Sequence, residues 1–198
     1  MRKLTKDSFP HMVDCLIRRK REIWYSLVMQ LVSRWWGVDL GRKCIFNGRS
    51  YFHRHPDSRI LIGNGCVFYS SPNSNLIGVN RPCIISTLID DAVIEIGNGC
   101  GFSGTVIGAA KKITLGKNVR CGANTLITDT DWHTDDHRTG KDTLVIINDG
   151  VWLGVNVVVL KGVTIGEGTL VAANSVVSKS LPSGVIAAGC PVKIIKQL

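Results

Sequence analysis

The sequence predicts an all-β solenoid, a parallel β-helix, on three observations. Every sixth residue from Ile147 gives Ile147, Leu153, Val159, Ile165, Val171 and Val177, all aliphatic. Four positions further on, the same frame gives Val151, Val157, Val163, Thr169, Ser175 and Leu181, all small or apolar. A strand repeats every two residues and a helix every 3.6, so a strict period of six belongs to neither alone. It fits a coil with three equal flat faces, each pointing one residue inward, whose turns stack on their neighbours. The third observation is a corner signature. Ile-Gly-Asn-Gly-Cys occurs at Ile62–Cys66 and Ile96–Cys100, with variants at Leu115–Val119 and Ile165–Thr169. Glycine after the aliphatic residue, followed by Asn or Gly, suits a tight corner where positive φ costs little.

Residues 1–59 read as a separate, basic and largely helical segment. They hold 13 Lys/Arg against 5 Asp/Glu, whereas residues 61–198 hold 11 against 10. Phe9, Met12, Val13, Leu16 and Ile17 form one apolar stripe, and Ile23, Trp24, Leu27, Val28, Leu31, Val32, Trp35 and Trp36 a broader one. Arg18–Arg21 lie between the stripes, and Gly37 is the expected stop. Two placements fit: packing over the solenoid, or residues 9–36 lying on a membrane with arginines at anionic headgroups. No recognition motif accompanies the charge, so nucleic acid is not an expected partner.

The solenoid is expected over residues 60–198. Its frame opens at Ile62 and Phe68, recurs at Ile96 and Phe102, and after one extra residue resumes at Leu115, Cys121 and Ile127. Seven cysteines form no CxxC pair, and Cys66, Cys100 and Cys121 fall where the repeat asks for small apolar groups. Core packing accounts for them and favours a reducing, cytoplasmic setting. The N-terminus shows no secretory signal pattern, and no run of 18 apolar residues lacks charge.

One interruption is expected, an extruded loop over residues 129–146, and the chain closes with a tail at 183–198. The loop begins Asp129-Thr130-Asp131-Trp132-His133-Thr134, and six of the ten acidic residues after position 60 lie between Asp129 and Asp149. A histidine after an aromatic and two residues from a carboxylate suits a general base, because the carboxylate fixes the tautomer and stabilises the imidazolium. His133 is the candidate base and Asp131 its partner, with Asp129 as the alternative. His137 reads as a solvated loop residue.

These stretches, with Gly101–Gly104, Ile113–Gly116, Val151–Gly154, Gly162–Gly166 and the closing Ala187–Lys193, resemble the hexapeptide-repeat acyltransferases. Within them the chain looks like the maltose/galactoside acetyltransferase branch, especially the O-acetyltransferases of colanic-acid and O-antigen biosynthesis. The first 60 residues do not match the short N-terminal domain of the maltose-type enzymes. The resemblance implies a left-handed β-helix, a homotrimer with sites between neighbouring chains, acetyl-CoA as co-substrate with no metal, and a sugar or glycan acceptor. The acceptor is lipid- or nucleotide-linked in the readings it leaves open. Carried over by position, Asp129 and Trp132 face the acceptor, and Ser103 lies near the acceptor or the developing oxyanion. Trp152, Gly154, Ala173 and Ser178 follow the pantetheine arm, and Lys179, Lys193 and Lys196 meet the phosphates. The activity implied is O-acetylation in surface polysaccharide or lipopolysaccharide biosynthesis, with N-acetylation of a nucleotide-linked amino sugar as the alternative. Two other classes share the solenoid: a γ-type carbonic anhydrase, which needs three converging zinc histidines, and a non-catalytic binding scaffold.

Overall fold

The computed structural model describes residues 6–133 and 135–198, so the first five residues of the N-terminal segment and Thr134 of the loop lie outside it. Three parallel sheets form the three faces of a left-handed solenoid. Face A stacks Asp39–Leu40, Arg59–Ile62, Val93–Ile96, Lys112–Leu115, Val145–Ile147 and Thr164–Ile165. Face B stacks Ile45–Asn47, Val67–Tyr69, Gly101–Ser103, Arg120–Cys121, Trp152–Leu153, Leu170–Val171 and Val185–Ala188. Face C stacks Tyr51–His53, Ile84–Thr87, Val106–Ala109, Leu126–Thr128, Val158–Val159 and Val176–Val177. The last strand, Lys193–Gln197, turns back antiparallel on Val185–Ala188.

Like stacks on like down each face. The inward row of face B runs Phe46, Phe68, Phe102, Cys121, Leu153, Val171 and Ala187, all buried. Its aromatic end is a ring stack, with centroids 4.6 Å apart for Phe46–Phe68 and 5.0 Å for Phe68–Phe102. Each such side chain contributes about 1.5–3 kcal/mol by leaving water. At the A–B corner Cys44, Cys66 and Cys100 are buried, free thiols that donate to the carbonyls of Gly63, Gly97 and Gly116 at 3.3, 3.4 and 3.1 Å. The hydrogen bond with the Cys100 thiol, reinforced by burial, pushes the Cys66 thiol up to about 11. These cysteines are core groups, as the repeat position requires.

The solenoid starts at Asp39, earlier than the boundary at residue 60. Leu40-Gly41-Arg42-Lys43-Cys44 makes the same corner as Ile62–Cys66, but Lys43 takes the left-handed φ (58°) that Gly65 takes there (68°). Upstream, the two apolar stripes belong to one helix, α1, Ser8–Trp35. Pro10 is tolerated because first-turn N–H groups have no intrahelical acceptor. Gly37, at φ 62°, ends the helix, and Arg54 Nε donates to the Trp36 carbonyl at 2.8 Å. Met29, Tyr25, Val32 and Trp36 pack α1 on the first coil, closing the end of the core beside Phe46.

A second interruption accompanies the expected one. Residues 70–83 leave face B after Val67–Tyr69 and return to face C at Ile84. Asn124 holds this excursion from the next corners: its Oδ1 accepts from Asn80 N–H, its Nδ2 donates to the Gly78 carbonyl, and Arg81 donates to the Asn124 carbonyl, at 3.1, 3.1 and 2.6 Å. Thus one loop rises from the B–C corner and the other, at 129–144, from the C–A corner.

Candidate active site

The loop at 129–144 is fastened at both ends. Asp129 is fully buried, and its carboxylate accepts from the Ala110 and Lys111 N–H groups at 2.7 and 2.8 Å. Burial pushes its carboxyl above the usual range, against the backbone donors that favour its charged form. Thr143 N–H donates to the Asp129 carbonyl at 3.0 Å, bringing the loop's end back to its start. Asp129 is therefore a staple inside the corner, not an acceptor-facing group or a partner of the imidazole.

Asp131 is spent differently from the expectation as well. Its Oδ2 accepts from Lys161 Nζ at 2.5 Å and from Gly140 N–H at 3.1 Å. The Lys161 hydrogen bond holds its carboxyl below the usual range. The expected Asp131–His133 hydrogen bond is not formed. Asp131 instead ties the loop to the corner one coil further on. Lys161 does not stand out in the sequence, because its pairing with Asp131 spans 30 residues, and Gly140 meets Asp131 only through closure of the loop.

Between these two aspartates and the histidine sits the residue that aims it. Trp132 has φ 69°, a conformation rare for a bulky side chain. Its ring lies on face C over Gly108: a Cβ at Gly108 would stand 2.6 Å from Trp132 Cζ2. Glycine is thus required to seat the ring, and the seated ring with its left-handed backbone turns His133 outward. His133 is exposed, and its imidazole makes no hydrogen bond among the described residues. Its carbonyl accepts from Asp136 N–H at 3.1 Å, while the Asp136 carboxylate takes a fork from Arg138 at 2.5–3.2 Å. His137 points to solvent with its side chain 94% exposed. Gly108 was legible after the fact as the break in Val106-Ile107-Gly108, where face C otherwise carries side chains.

A separate groove of about 310 Å³ runs along face B. Trp152, Gly154 and Ala173 line it with Gly122, Leu170 and Ile77, so three of the residues expected along a pantetheine arm come together. Gly154 is fixed by stacking, since a Cβ there would meet Ala173 N at 2.6 Å. Strand register continues the outward row Trp152, Leu170, Ile186, Lys196, which brings Lys196 onto the same sheet, with Lys193 on the same terminal strand. Ser178 and Lys179 are not part of this groove. They follow Val176–Val177 out of face C, exposed, at the C–A corner. Ser103 is buried at the end of its strand, and its Oγ accepts from Asn75 Nδ2 of the 70–83 excursion at 3.1 Å. The same excursion sends Ile77 to the groove.

In one chain these parts do not meet. His133 rises from the C–A corner and the groove lies on face B beside the B–C corner, with face C between them.

The family model described as bacterial transferase hexapeptide (six repeats) matches residues 145–179. Over those residues the chain carries the hexapeptide repeat of the bacterial transferases. WbbJ of Escherichia coli K12, named for O-acetyl transfer in lipopolysaccharide biosynthesis, is 38% identical over 104 residues, 46% of this chain and 53% of its own length. The 2,3,4,5-tetrahydropyridine-2,6-dicarboxylate N-acetyltransferase of Staphylococcus aureus RF122 is 39% identical over 84 residues, 42% of this chain and 33% of that one. The chain therefore spans about half the length of WbbJ and a third of the S. aureus enzyme. Among solved structures, the N-acyltransferase AntD of Bacillus cereus, in complex with dTDP-4-amino-4,6-dideoxyglucose and coenzyme A, has the same fold. Its TM-score is 0.64 at 20% identity, with 85% of this chain and 88% of AntD covered. The hexapeptide-repeat acetyltransferase VCA0836 of Vibrio cholerae superposes with a TM-score of 0.54 at 25% identity, covering 88% of this chain and 81% of the other.

Proposed function

We propose that the protein is an acetyl-CoA-dependent O-acetyltransferase acting on a sugar hydroxyl in surface polysaccharide or lipopolysaccharide biosynthesis. The observation that carries it is the combination of an outward His133 with no hydrogen bond among the described residues, aimed by Trp132 on Gly108, and an apolar groove around Trp152. The groove suits the slender pantetheine arm of coenzyme A: Gly122, Gly154, Ala172 and Ala173 present little side chain beside Trp152 and Leu170. Lys196 and Lys193 put positive charge on the same sheet for the phosphate end.

In the proposed reaction His133 takes the proton of the acceptor hydroxyl on its imidazole. The hydroxyl oxygen forms a bond to the thioester carbonyl carbon, the C–S bond breaks, and the imidazolium returns the proton to the departing thiolate. No protein nucleophile is needed, because the thioester is already activated. Backbone N–H groups at a solenoid corner are the donors available to the developing oxyanion. Asp131 acts at one remove, by holding the loop on Lys161.

The proposed assembly is a homotrimer. His133 and the groove stand on opposite edges of face C, so a site that uses both takes the histidine from one chain and the groove from its neighbour. N-acetylation, with a nucleotide-linked amino sugar as the acceptor considered, is the second reading; the likeness to the S. aureus N-acetyltransferase favours transfer to nitrogen and does not name a sugar. A panel of nucleotide-linked and lipid-linked sugars, incubated with labelled acetyl-CoA, tests both. An ester on a sugar oxygen supports the first reading and an amide the second. No transfer to any member beyond the enzyme-free control counts against both.

A further inference from the structure

Helix α1 has two apolar sides, and the solenoid uses one of them. Tyr25, Met29, Val32 and Trp36 recur at three and four residues and face the first coil, with Met29 fully buried. Phe9, Met12, Leu16, Ile23, Leu27 and Leu31 recur at three, four and seven residues and lie in solvent. At 3.6 residues per turn Leu27 stands about 160° around the helix from Met29. Trp24 and Trp35 border the outer stripe at 65% and 87% exposure. The stripe runs along a helix of 28 residues and is exposed, with no partner among the described residues.

The charges say what covers it. Lys20, four residues after Leu16, and Arg34, three after Leu31, sit within the stripe and are exposed, with Arg19 at its edge. Asp14 and Glu22 fall on the other side: Glu22 is seven residues before Met29, and Asp14 is paired to Arg18 at 2.6 Å. The outer face is thus apolar and cationic with no carboxylate among the described residues of the helix. A symmetric contact between two copies would bring Lys20 and Arg34 against like charge in an apolar seam, which is unfavourable. A lipid surface accepts both features, because aliphatic and indole groups enter the acyl boundary while lysine and arginine reach up to anionic headgroups. No helix among the described residues is long and apolar enough to cross a membrane, so α1 would lie in the surface plane.

We propose that the outer face of α1 docks the folded protein on a bilayer carrying anionic lipid. The reaction above places that surface on the cytoplasmic side, where acetyl-CoA is available. This docking is separate from catalysis: loss of binding leaves transfer to a soluble acceptor unchanged, so either reading can fail without the other. The test is flotation of the full chain with phosphatidylcholine vesicles and with vesicles containing about a third phosphatidylglycerol, at low and high salt. Flotation with the anionic vesicles alone, weakened by salt, is expected. Arg19→Gln with Lys20→Gln should weaken partition by about thirtyfold, from roughly fivefold per basic residue at the surface. Leu27→Ser with Leu31→Ser should abolish it; both side chains are exposed, so folding is spared. A readout without those variants is quenching of tryptophan emission by brominated lipid, which should fall in the Trp24→Phe, Trp35→Phe double variant. Three results overturn the proposal: unmodified protein that does not float at low salt, leucine variants that float as before, or leucine variants that lower the sedimenting mass. The last would assign the stripe to contacts between copies.

Discussion

Trp132 spends a left-handed backbone conformation on a single outcome, the outward aim of His133, and Gly108 makes that possible. A bulky residue at positive φ costs on the order of 1–3 kcal/mol and persists where the surroundings over-determine it. Gly108→Ala would push the indole off face C. The expected result is a fall in kcat on the order of a hundredfold, as for misplacement of a catalytic group by about 1 Å, with the melting temperature little changed. Unchanged kcat would remove Trp132 from the account. Asp131 gives a pH prediction. Its carboxyl is held below the ordinary range by Lys161, so the folded state prefers it charged. The tether is complete above the ordinary carboxylate range and is lost as pH falls through the depressed folded-state value. Amide exchange at Gly140, whose N–H binds that carboxylate, should accelerate relative to the core as pH drops below about 4; in Asp131→Asn it should be fast throughout.

At the scale of elements, the groove on face B makes its own prediction. Trp152 is half exposed and stands in the row that leads to Lys196. Trp152→Ala should raise the KM for acetyl-CoA on the order of tenfold, about 1.4 kcal/mol of binding, while kcat moves less. Steady-state kinetics at saturating acceptor separates the two, and an unchanged KM would place the thioester arm elsewhere. How far these elements could be read from the sequence depended on whether a rule acted locally. The six-residue frame and the Ile-Gly-Asn-Gly-Cys corners carried the solenoid, because each turn buries the same kind of group at the same height. The first coil escaped that reading although Leu40, Phe46 and Phe52 keep the spacing, since Lys43 replaces the corner glycine. The excursion at 70–83 was passed over, although Ser70-Ser71-Pro72-Asn73 is a turn-forming run. The position of His133 in its loop was legible. The partners of Asp129, Asp131 and Ser103 were not, because Ala110, Lys161 and Asn75 reach them through register and loop closure rather than neighbouring sequence. Ser178 and Lys179 stand apart from the groove of their own chain, at the C–A corner from which the His133 loop also rises, a placement set by the coil and not by neighbouring sequence.

For the whole molecule, the separation of loop and groove across face C requires more than one chain if both serve one reaction. Analytical ultracentrifugation should give a trimer at micromolar concentration, and an active monomer would refute the shared site. The central claim is that His133 is the base that deprotonates the acceptor. His133→Ala tests it most directly, because the side chain is exposed and has no hydrogen bond among the described residues whose loss could unfold the loop. The account predicts that acetyl transfer falls by about 10²–10⁴-fold while the circular dichroism spectrum, the sedimenting mass and the affinity for coenzyme A stay as in the unmodified protein. Turnover above about a third of the original value, where removal of a general base costs at least a hundredfold, would contradict it.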